Sequence, residues 1–288
     1  MILIADSGST KTDWCVVDQE DLVQSVQTKG LNPFFLSEEE IGREFSTHLL
    51  SLINPREIRA VYFYGAGCVF EKVEIMRKII MRHFHVEEVE VNTDLLAAAR
   101  CSCGMEAGIA CIMGTGSNSC FYDGQQIVQT VSPLGYILGD EGSGADLGKQ
   151  LVKDLLKDMI TPELKELFLR RFGLTLAEIM DRVYRQPLPN RFLASFAPFL
   201  SEHIEDPRIH TLALNRFKSF LRRNVMKYDY LHFHVHFVGS IAWHFKSVLE
   251  EAAADTGVKI GMVIKQPIDG LITYHSSDHT PPPVFFDI

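Results

Sequence analysis

The 288-residue sequence contains no run of apolar residues that approaches the roughly 18 needed to predict a membrane-spanning helix. It also lacks an excess of positive charge, because 28 Lys and Arg stand against 37 Asp and Glu. The resulting formal net charge of -9 argues against a nucleic-acid partner, whose phosphates attract basic surfaces. The N-terminus has neither a basic leader nor a small-residue cleavage site, so we expect a cytoplasmic protein without a membrane partner.

Closely spaced cysteines of the kind that predict a zinc or redox site are also missing. The sequence has six cysteines, and the residues of the one close pair, Cys101 and Cys103, are separated by one residue rather than two. We therefore expect reduced thiols that pack as small apolar side chains. His232, His234 and His236 alternate with apolar residues, which predicts one polar face of a strand rather than a metal site.

The composition that is present is that of a folded α/β protein. Hydrophobic residues make up 46% and charged residues 23% of the chain, so a core of ordinary size is expected. Length and motif spacing predict two domains, residues 1–105 and 106–288, and the second includes a largely helical insertion. Each half begins with an apolar strand, a turn rich in glycine and hydroxyl groups, and a returning strand.

The first of these turns reads DSGSTKT and follows the apolar residues 2–5. Gly8 and its neighbouring hydroxyls predict a tight hairpin, in which Asp6 caps the turn. The same backbone N–H groups, hydroxyls and one ammonium also suit an anion nest, beside which a carboxylate can hold the magnesium of a nucleotide. The Walker pattern is absent, and the stretch by itself leaves both interpretations open.

Two further glycine turns follow predicted strands, GTGSNS at 114–119 and the Gly239-Ser240 pair in VGSIAW. Gly114 and Gly116 allow the backbone to approach phosphate oxygens closely. The turn at 239–240 suits an adenine and ribose lying against the backbone, although an ordinary strand-to-helix turn explains it equally well. Two phosphate-type turns, one in each half, together predict a triphosphate that is held from both sides.

Three carboxylates lie beside predicted turns. Asp94 lies between a strand and a helix, where it is either an N-cap or a general base for phosphoryl transfer to a hydroxyl. Asp140 and Glu141 lie in the loop GDEGS, which is either a solvated helix start or a binding site for sugar hydroxyls. The pattern alone does not decide between these alternatives.

The order of these motifs resembles the sugar kinase–Hsp70–actin superfamily, and within it the BadF/BadG/BcrA/BcrD ATPase family with its N-acetylglucosamine kinase branch. The runs that carry the resemblance are DSGSTKTD, NTDLLAA, MGTGSNS, LGDEGS and FVGSIA. The resemblance implies two RNase H-like (actin-like ATPase) domains around a central nucleotide cleft. It also implies a kinase that uses ATP and Mg²⁺ to phosphorylate the 6-hydroxyl of N-acetylglucosamine or a related amino sugar. We expect a homodimer, since dimers are the commonest assembly.

Individual roles follow from the resemblance wherever a residue matches a family motif. Asp6 would organise magnesium, and Asp94 would be the general base. The phosphates would be held by Gly8, Ser9, Thr10 and Lys11 in the first turn and by Gly114, Thr115, Gly116 and Ser117 in the second. Gly239 and Ser240 would border the adenosine, and Asn32, Asp140 and Glu141 would contact the sugar.

The chain departs from the family pattern in three places. Ser7 stands where a glycine is common, GAGC at 65–68 differs from the kinase pattern, and Ser240 replaces the second glycine of the adenosine motif. Two alternatives remain. One is an ATPase that activates a dehydratase through a shared iron–sulfur cluster, for which cysteine placement is the discriminator. The other is a non-catalytic sugar sensor, which the intact Asp6, Asp94 and phosphate turns argue against.

Overall fold

The computed structural model describes residues 1–8, 10–86 and 88–276. Its strands are β1 (Ile2–Ser7), β2 (Lys11–Asp18), β3 (Asp21–Lys29), β4 (Ala60–Gly65), β5 (Glu88–Thr93), β6 (Gly108–Met113), β7 (Ser117–Tyr122), β8 (Ile127–Val131), β9 (Val235–Val238) and β10 (Ile260–Ile264). Its α-helices are α1 (Glu38–Glu44), α2 (Glu71–Phe84), α3 (Asp94–Cys103), α4 (Gly135–Leu138), α5 (Gly144–Leu156), α6 (Pro162–Phe172), α7 (Leu176–Tyr184), α8 (Pro189–Ala194), α9 (Ala197–Glu202), α10 (Pro207–Arg223), α11 (Ser240–His244), α12 (Lys246–Thr256) and α13 (Ile268–Ser276). None of the described helices is both long enough and apolar enough to cross a membrane.

The first compact unit contains residues 1–106, 123–127 and 266–276. Its sheet has the strand order β3-β2-β1-β4-β5, in which β1, β4 and β5 run parallel and β1, β2 and β3 form antiparallel pairs. Strand β1 is almost entirely buried because it lies in the middle of this sheet, and its first four residues are apolar, which is typical of a strand covered on both faces. The parallel connections bring the carboxyl ends of β1, β4 and β5 to one edge.

Aromatic side chains fill the core on one side of this sheet. The Trp14 ring meets Phe45 edge-on at 5.4 Å between centroids and also contacts Phe63. Trp14 is fully buried, and its indole Nε1 donates a hydrogen bond to Thr28 Oγ1 at 3.0 Å. The polar end of the largest core side chain is therefore satisfied, which avoids the cost of a buried, unpaired N–H group.

The second compact unit contains residues 107–122 and 128–265. Its sheet has the order β10-β9-β6-β7-β8, so the strands surround β6 in the same order as those of the first unit surround β1. Strand β6 is antiparallel to β7 and parallel to β9, and β9 is parallel to β10. Helices α4 to α10 lie between β8 and β9 in the chain, as the predicted helical insertion requires.

The C-terminal helix α13 belongs to the first unit, whereas the sequence analysis placed all of 106–288 in the second domain. Cys101 of α3 lies so close to Gly270 of α13 that a Cβ on Gly270 would stand 2.5 Å from the Cys101 carbonyl oxygen. Glycine at this position therefore lets α13 pack directly on the α3 backbone. The proline-rich segment that follows α13 in the sequence lies outside the described residues.

The histidine-rich strand is shorter than predicted. Pairing begins only at Val235, which is in register with Ile109 of β6 and with Ile260 of β10. His236 is therefore inside β9, whereas His232 precedes the strand and its Nδ1 lies 2.7 Å from Asp229 Oδ1. The prediction that all three imidazoles share one strand face was wrong.

A buried polar network fastens α13 to the first unit. Arg100 Nη1 lies 2.7 Å from Glu90 Oε1 and donates to Tyr64 Oη at 2.6 Å, and Tyr64 Oη lies 2.7 Å from His275 Nε2. Arginine only donates, so the Tyr64 hydroxyl accepts from Arg100 and directs its own hydrogen to His275. This arrangement requires an unprotonated Nε2 in the folded protein.

Acid should loosen this network. Burial and the positive charge of Arg100 lower the pKa of His275 from 6.5 to about 3. Below pH 6.5 the unfolded chain takes up a proton that the folded chain refuses, so stability falls with falling pH by up to about 1.4 kcal/mol per unit. We expect His275→Gln, which retains an acceptor for Tyr64, to reduce the stability lost between pH 6.5 and 4.5 by about 2 kcal/mol. Urea unfolding at both pH values measures this loss.

The matched control is His85→Gln, which changes an exposed histidine of the same unit. It should lose as much stability between the two pH values as the unaltered protein. An unchanged loss in His275→Gln would contradict the assigned network.

Candidate functional site

Two carboxylates meet at the edge formed by the ends of the parallel strands in the first unit. Asp6 is in register with Tyr64 of β4, which is in register with Asn92 of β5, and Asp94 follows two residues later. Burial, with the nearby charges of Asp94 and Asp13 that outweigh the charge of Lys11, raises the pKa of Asp6 to about 7. Burial likewise raises the pKa of Asp94 to about 6. The result is a partly buried, electrostatically strained acidic pair.

Asp94 is not the N-cap of α3. The cap is Thr93, whose Oγ1 accepts a hydrogen bond from Leu96 N at 3.2 Å. Asp94 is the first residue of the helix, where a negative charge is favourable next to the helix dipole. The N-cap alternative for Asp94 is therefore wrong, and the signal that could have identified the cap is the threonine immediately before it.

The first turn is a hairpin, as its glycine predicts. Gly8 N donates to Lys11 O at 3.0 Å, and Lys11 is already the first residue of β2. The Lys11 ammonium lies 2.7 Å from Asp13 Oδ2, and Thr10 is exposed. Ser9 lies outside the described residues. A role for this turn in phosphate binding stays a prediction.

Ser7 has a structural role that the sequence did not reveal. Its buried hydroxyl accepts a hydrogen bond from Leu31 N at 3.0 Å and lies 2.8 Å from Thr12 Oγ1. Because Thr12 donates its hydrogen to Lys29 O, the Ser7 hydroxyl must donate to Thr12. The serine that replaces the usual glycine thus connects the first turn to the loop that carries Asn32.

Asn32 is held within this loop. Its Oδ1 accepts a hydrogen bond from Phe34 N at 2.9 Å, which forms an Asx turn. A Cβ on Gly67 would stand only 2.3 Å from the same oxygen, and Gly67 has a φ of 80°. Gly67, in the GAGC segment that departs from the family pattern, is therefore what allows the Asn32 loop to pack against β4 and its following turn.

In the second unit the turn Gly114–Ser117, hereafter the phosphate turn, is hydrogen-bonded to the segment 140–145. Gly144 N and Ala145 N donate to the carbonyl oxygens of Gly114 and Thr115 at 2.9 and 3.1 Å. The backbone amide and the hydroxyl of Ser117 are bound as well, to Asp140 Oδ1 at 3.2 Å and to Glu141 O at 2.8 Å. These two motifs, more than 20 residues apart in sequence, therefore form one structural piece.

The two carboxylates of the GDEGS loop lie in different environments. Asp140 is buried and accepts the Ser117 amide, and burial together with Asp146 and Glu141 raises its pKa to about 6. Glu141 Oε1 lies 3.5 Å from Arg223 Nε. The predicted sugar contacts of both residues stay predictions.

The adenosine turn of the family motif packs directly on the phosphate turn. Gly239 has a φ of 131°, and a Cβ there would stand 2.2 Å from Met113 O and 3.3 Å from Gly114 N. No other residue fits this position. Ser240 is the first residue of helix α11 and has no left-handed backbone. The replacement of a second glycine by serine is therefore accommodated without strain.

A cavity of about 440 Å³ opens between these turns and helix α9 within the second unit. Its volume is in the range of small-ligand sites. The phosphate turn contributes Gly114 and Thr115, and the adenosine turn contributes Ser240. Its remaining lining residues are Ala194, Ser195, Ala197, Pro198, Ser201, Glu202, Ile241, His244 and Phe245. The sequence analysis missed the α8–α9 wall, because no glycine or motif marks it.

The cysteines lie inside the fold. All six are free and buried, and Cys101 Sγ donates to the carbonyl oxygen of Ala98 within α3. Burial raises the pKa of the Cys101 and Cys103 thiols, the latter to about 11. Thiols of this kind are poor metal ligands, because ligation requires the thiolate.

Comparison with solved structures places the chain in a family. A structure titled "Putative N-acetylglucosamine Kinase" from Porphyromonas gingivalis is 47% identical, covers 97% of this chain and 100% of its own, and has a TM-score of 0.95. This decides the family. The chain belongs to the N-acetylglucosamine kinase-like branch of the sugar kinase–Hsp70–actin superfamily. No protein-family model and no curated protein matches it.

Two more distant structures share the fold of this family. A structure of the same title from Chromobacterium violaceum has 16% identity and a TM-score of 0.72, and covers 95% of this chain and 99% of its own. A ROK family glucokinase from Streptomyces griseus, solved with glucose and AMPPNP, has 14% identity and a TM-score of 0.56, and covers 95% and 97%. The predicted α/β fold of the actin-like ATPase class is confirmed.

The hydrogen bond from Leu31 N to Ser7 Oγ gives a testable expectation. Ser7→Ala leaves the buried Leu31 amide without its acceptor, and an unmade buried hydrogen bond costs about 1–3 kcal/mol. We expect that loss in the free energy of unfolding, measured by urea denaturation. Ser132→Ala, at an exposed loop position, is the control and should change stability by less than about 0.5 kcal/mol. Equal stability of the two variants would contradict a stabilising role for this hydrogen bond.

Proposed function

We propose that this protein is an ATP-dependent sugar kinase that phosphorylates the 6-hydroxyl of N-acetylglucosamine or a related amino sugar. The observation that carries the proposal is the 47% identity, over nearly the whole chain, to the Porphyromonas gingivalis structure. The glucokinase of the same fold, solved with AMPPNP and glucose, agrees with the use of ATP and a sugar. We further propose a cytoplasmic homodimer without nucleic-acid or membrane partners.

ATP would bind along the turns of both units. In the second unit the amides of Gly114 and Ser117 already donate to Gly116 O and Asp140 Oδ1, so Thr115 and Gly116 would supply the backbone amides for phosphate oxygens. The adjoining cavity has room for a nucleoside. Glu202 and His244 line this cavity and carry polar groups. In the first unit we propose Gly8, Ser9, Thr10 and Lys11 for the remaining phosphate contacts. Gly239 and Ser240 would border the adenosine.

The acidic pair of the first unit fits a magnesium ion that arrives with ATP. Among the described residues no group of three or more His, Cys, Asp or Glu side chains could hold a metal by itself. Mg²⁺ in nucleotide sites needs only one or two carboxylates in addition to phosphates and water. The raised pKa of Asp6 reflects burial first and then repulsion from Asp94 and Asp13, and a bound cation would offset both. When bound, the ion would offset negative charge on the phosphates, and Asp6 would hold it.

Asp94 is the residue that we propose as the general base. Burial raises its pKa to about 6, which makes it a stronger base than an ordinary carboxylate while it remains mostly ionised at neutral pH. Its place at the start of α3 fixes the carboxylate at the strand-end edge. There it would accept the proton of the sugar hydroxyl as the phosphoryl group is transferred.

The sugar would be recognised by Asn32 in the first unit and by Glu141 and Asp140 in the second. Asn32 Oδ1 already accepts the Phe34 amide, but its amide nitrogen can donate to a sugar oxygen. Carboxylates suit the hydroxyls, because each accepts several hydrogen bonds.

The proposed function predicts Mg²⁺-dependent ATP binding and sugar-dependent ATP consumption. Calorimetry with ATP, with and without Mg²⁺, measures the first, and a coupled assay of ADP release with N-acetylglucosamine, N-acetylmannosamine, glucosamine and glucose measures the second. We expect N-acetylglucosamine to give the highest kcat/KM.

The outcomes separate the parts of the proposal. Absence of ATP binding at millimolar concentration would remove the kinase function altogether. Faster turnover of glucose than of N-acetylglucosamine would leave the kinase but reject the acetamido sugar. ATP hydrolysis without any sugar product would favour an ATPase of another kind.

The role of Asp94 can be separated from helix capping by two variants. Asp94→Asn keeps the shape of the side chain but removes the proton acceptor, so kcat should fall by roughly 10²–10⁴-fold. Its melting temperature and ATP affinity should stay close to those of the unaltered protein. Thr93→Ala removes the observed cap and should cost about 0.5–2 kcal/mol of stability. If Asp94→Asn turns over within about threefold of the wild-type rate, then Asp94 is not the base.

A further inference from the structure

The helical wall of the cavity in the second unit carries a carboxylate, Glu202, at the end of α9. We propose that Glu202 accepts hydrogen bonds from the nucleoside of ATP, and that Arg171 of α6 is a positioning residue that holds the Glu202 carboxylate for this contact. The inference rests on the proposed function, since it assumes that the cavity receives ATP. It adds a nucleotide-selecting residue on a wall that no sequence motif marks.

Arg171 binds Glu202 through two hydrogen bonds. Arg171 Nη2 donates to Glu202 Oε1 at 3.0 Å, and Arg171 Nη1 donates to Glu202 Oε2. The two residues are 31 positions apart in the chain, so the pair joins α6 to the C-terminal end of α9. A planar guanidinium that pairs with both oxygens fixes the plane of the carboxylate, which a single hydrogen bond does not do.

Two aromatic rings hold the guanidinium in turn. Arg171 Cζ lies 5.6 Å from the ring centroid of Phe172 and 6.0 Å from that of Phe199. Phe199 is buried in the core of the second unit and belongs to α9, as Glu202 does. Arg171 therefore packs on the same helix whose terminal carboxylate it binds, which limits the orientations open to the pair.

Helix stability does not account for a carboxylate at this position. Glu202 is the last residue of α9, where the helix dipole disfavours a negative charge. Its side chain is 54% exposed, and exposed ion pairs stabilise a fold only weakly. An acceptor held in one orientation on the wall of a cavity is instead what the recognition of a ligand donor requires.

The charges that line the cavity favour the uncharged part of ATP near Glu202. Among the described residues of this lining, Glu202 is the only carboxylate, and no lysine or arginine accompanies it. Because a carboxylate repels phosphates, the triphosphate is expected at Gly114 and Thr115 and the nucleoside beside Glu202. An ionised carboxylate only accepts hydrogen bonds, and a nucleoside offers two kinds of donor, the ribose hydroxyls and the adenine amino group.

Nucleotide selectivity separates this role from a structural one. Neutralising Glu202 also removes its repulsion of the triphosphate, which lowers the Kd of every nucleotide alike. Calorimetry with Mg²⁺ therefore compares ATP with dideoxy-ATP, which lacks both ribose hydroxyls, and with purine riboside triphosphate, which lacks the amino group. The unaltered protein should prefer ATP to one of these analogues by at least about tenfold, and Glu202→Gln should lower that preference by about tenfold.

Two substitutions of Arg171 test the positioning role. Arg171→Ala leaves the carboxylate in place but frees its orientation, so the preference for ATP over the same analogue should fall about threefold. Arg171→Lys keeps the positive charge but cannot pair with both oxygens, and it should restore little of the preference. A purely structural loss would weaken the binding of ATP and of the analogue equally and leave their ratio unchanged.

The same helix supplies a matched control. Arg170 Nη2 lies 2.8 Å from Glu166 Oε1, but both side chains are exposed, and neither is among the residues that line the cavity. Arg170→Ala therefore removes an arginine and its ion pair at the neighbouring position without touching Glu202. It should leave the preference for ATP over both analogues unchanged. Melting temperatures show that each variant is folded.

The two analogues separate the two kinds of donor. A preference lost against dideoxy-ATP assigns the contact to the ribose, and one lost against purine riboside triphosphate assigns it to the base; either supports the proposal. Unchanged preferences in a folded Glu202→Gln protein would overturn it, as would equal binding of all three nucleotides by the unaltered protein. Unchanged preferences in both Arg171 variants would overturn the positioning role alone. If the unaltered protein binds no ATP, the proposed function fails, and this inference fails with it.

Discussion

The parallel alignment of β1, β4 and β5 is the constraint on which the chemistry of the first unit depends. Asp6 of β1 is in register with Tyr64 of β4, and Tyr64 is in register with Asn92 of β5. The carboxyl ends of β1 and β5 therefore lie at the same edge of the sheet. Asp6 and Asp94 come together there because each stands at the carboxyl end of its strand. Burial raises both pKa values, and the charge of Asp94 adds to the rise at Asp6.

The second sheet has the same strand order as the first, but its central strand carries no carboxylate at the corresponding position. Strand β1 places Asp6 one residue before its end, and β6 places Ile112 at the equivalent position. The turns that follow β6 and β9 contact each other through Gly239 and Met113, and both border the cavity. The same strand order therefore carries an acidic pair at the strand ends of one unit and glycine turns beside a cavity in the other.

The sequence predicted the features that are local in the chain. A buried strand followed by glycine and hydroxyls predicts a hairpin, and both turns, 8–11 and 114–116, were found in this way. The family resemblance supplied the order of the motifs and the fold. A helix was expected to begin at Asp94, and the N-cap was one of two alternatives for that residue, whereas the observed cap is Thr93.

What the sequence could not predict depends on contacts between distant segments. The hydrogen bond between Ser7 and Leu31 spans 24 residues, and that between Ser117 and Asp140 spans 23. No periodicity or motif encodes such pairs, because each residue alone is compatible with a solvated loop. The same holds for α13, which packs on the first unit through Tyr64 and His275, 211 residues apart. The predicted length of β9 was too great for a related reason. The alternation of histidine and apolar residues begins before Val235, where the pairing of the strand begins.

These long-range contacts also explain why the phosphate turn and the GDEGS loop of the second unit form one structural piece. Gly139 of the GDEGS loop is required by the close approach of Pro133, because a Cβ there would stand 1.9 Å from the Pro133 oxygen. A Cβ on Gly116 of the phosphate turn would stand 3.1 Å from Asp140 Oδ2, which is tighter than ordinary contact. The phosphate turn and the GDEGS loop look like two separate motifs in the sequence, but they are joined in the structure, where the loop sets the shape of the turn.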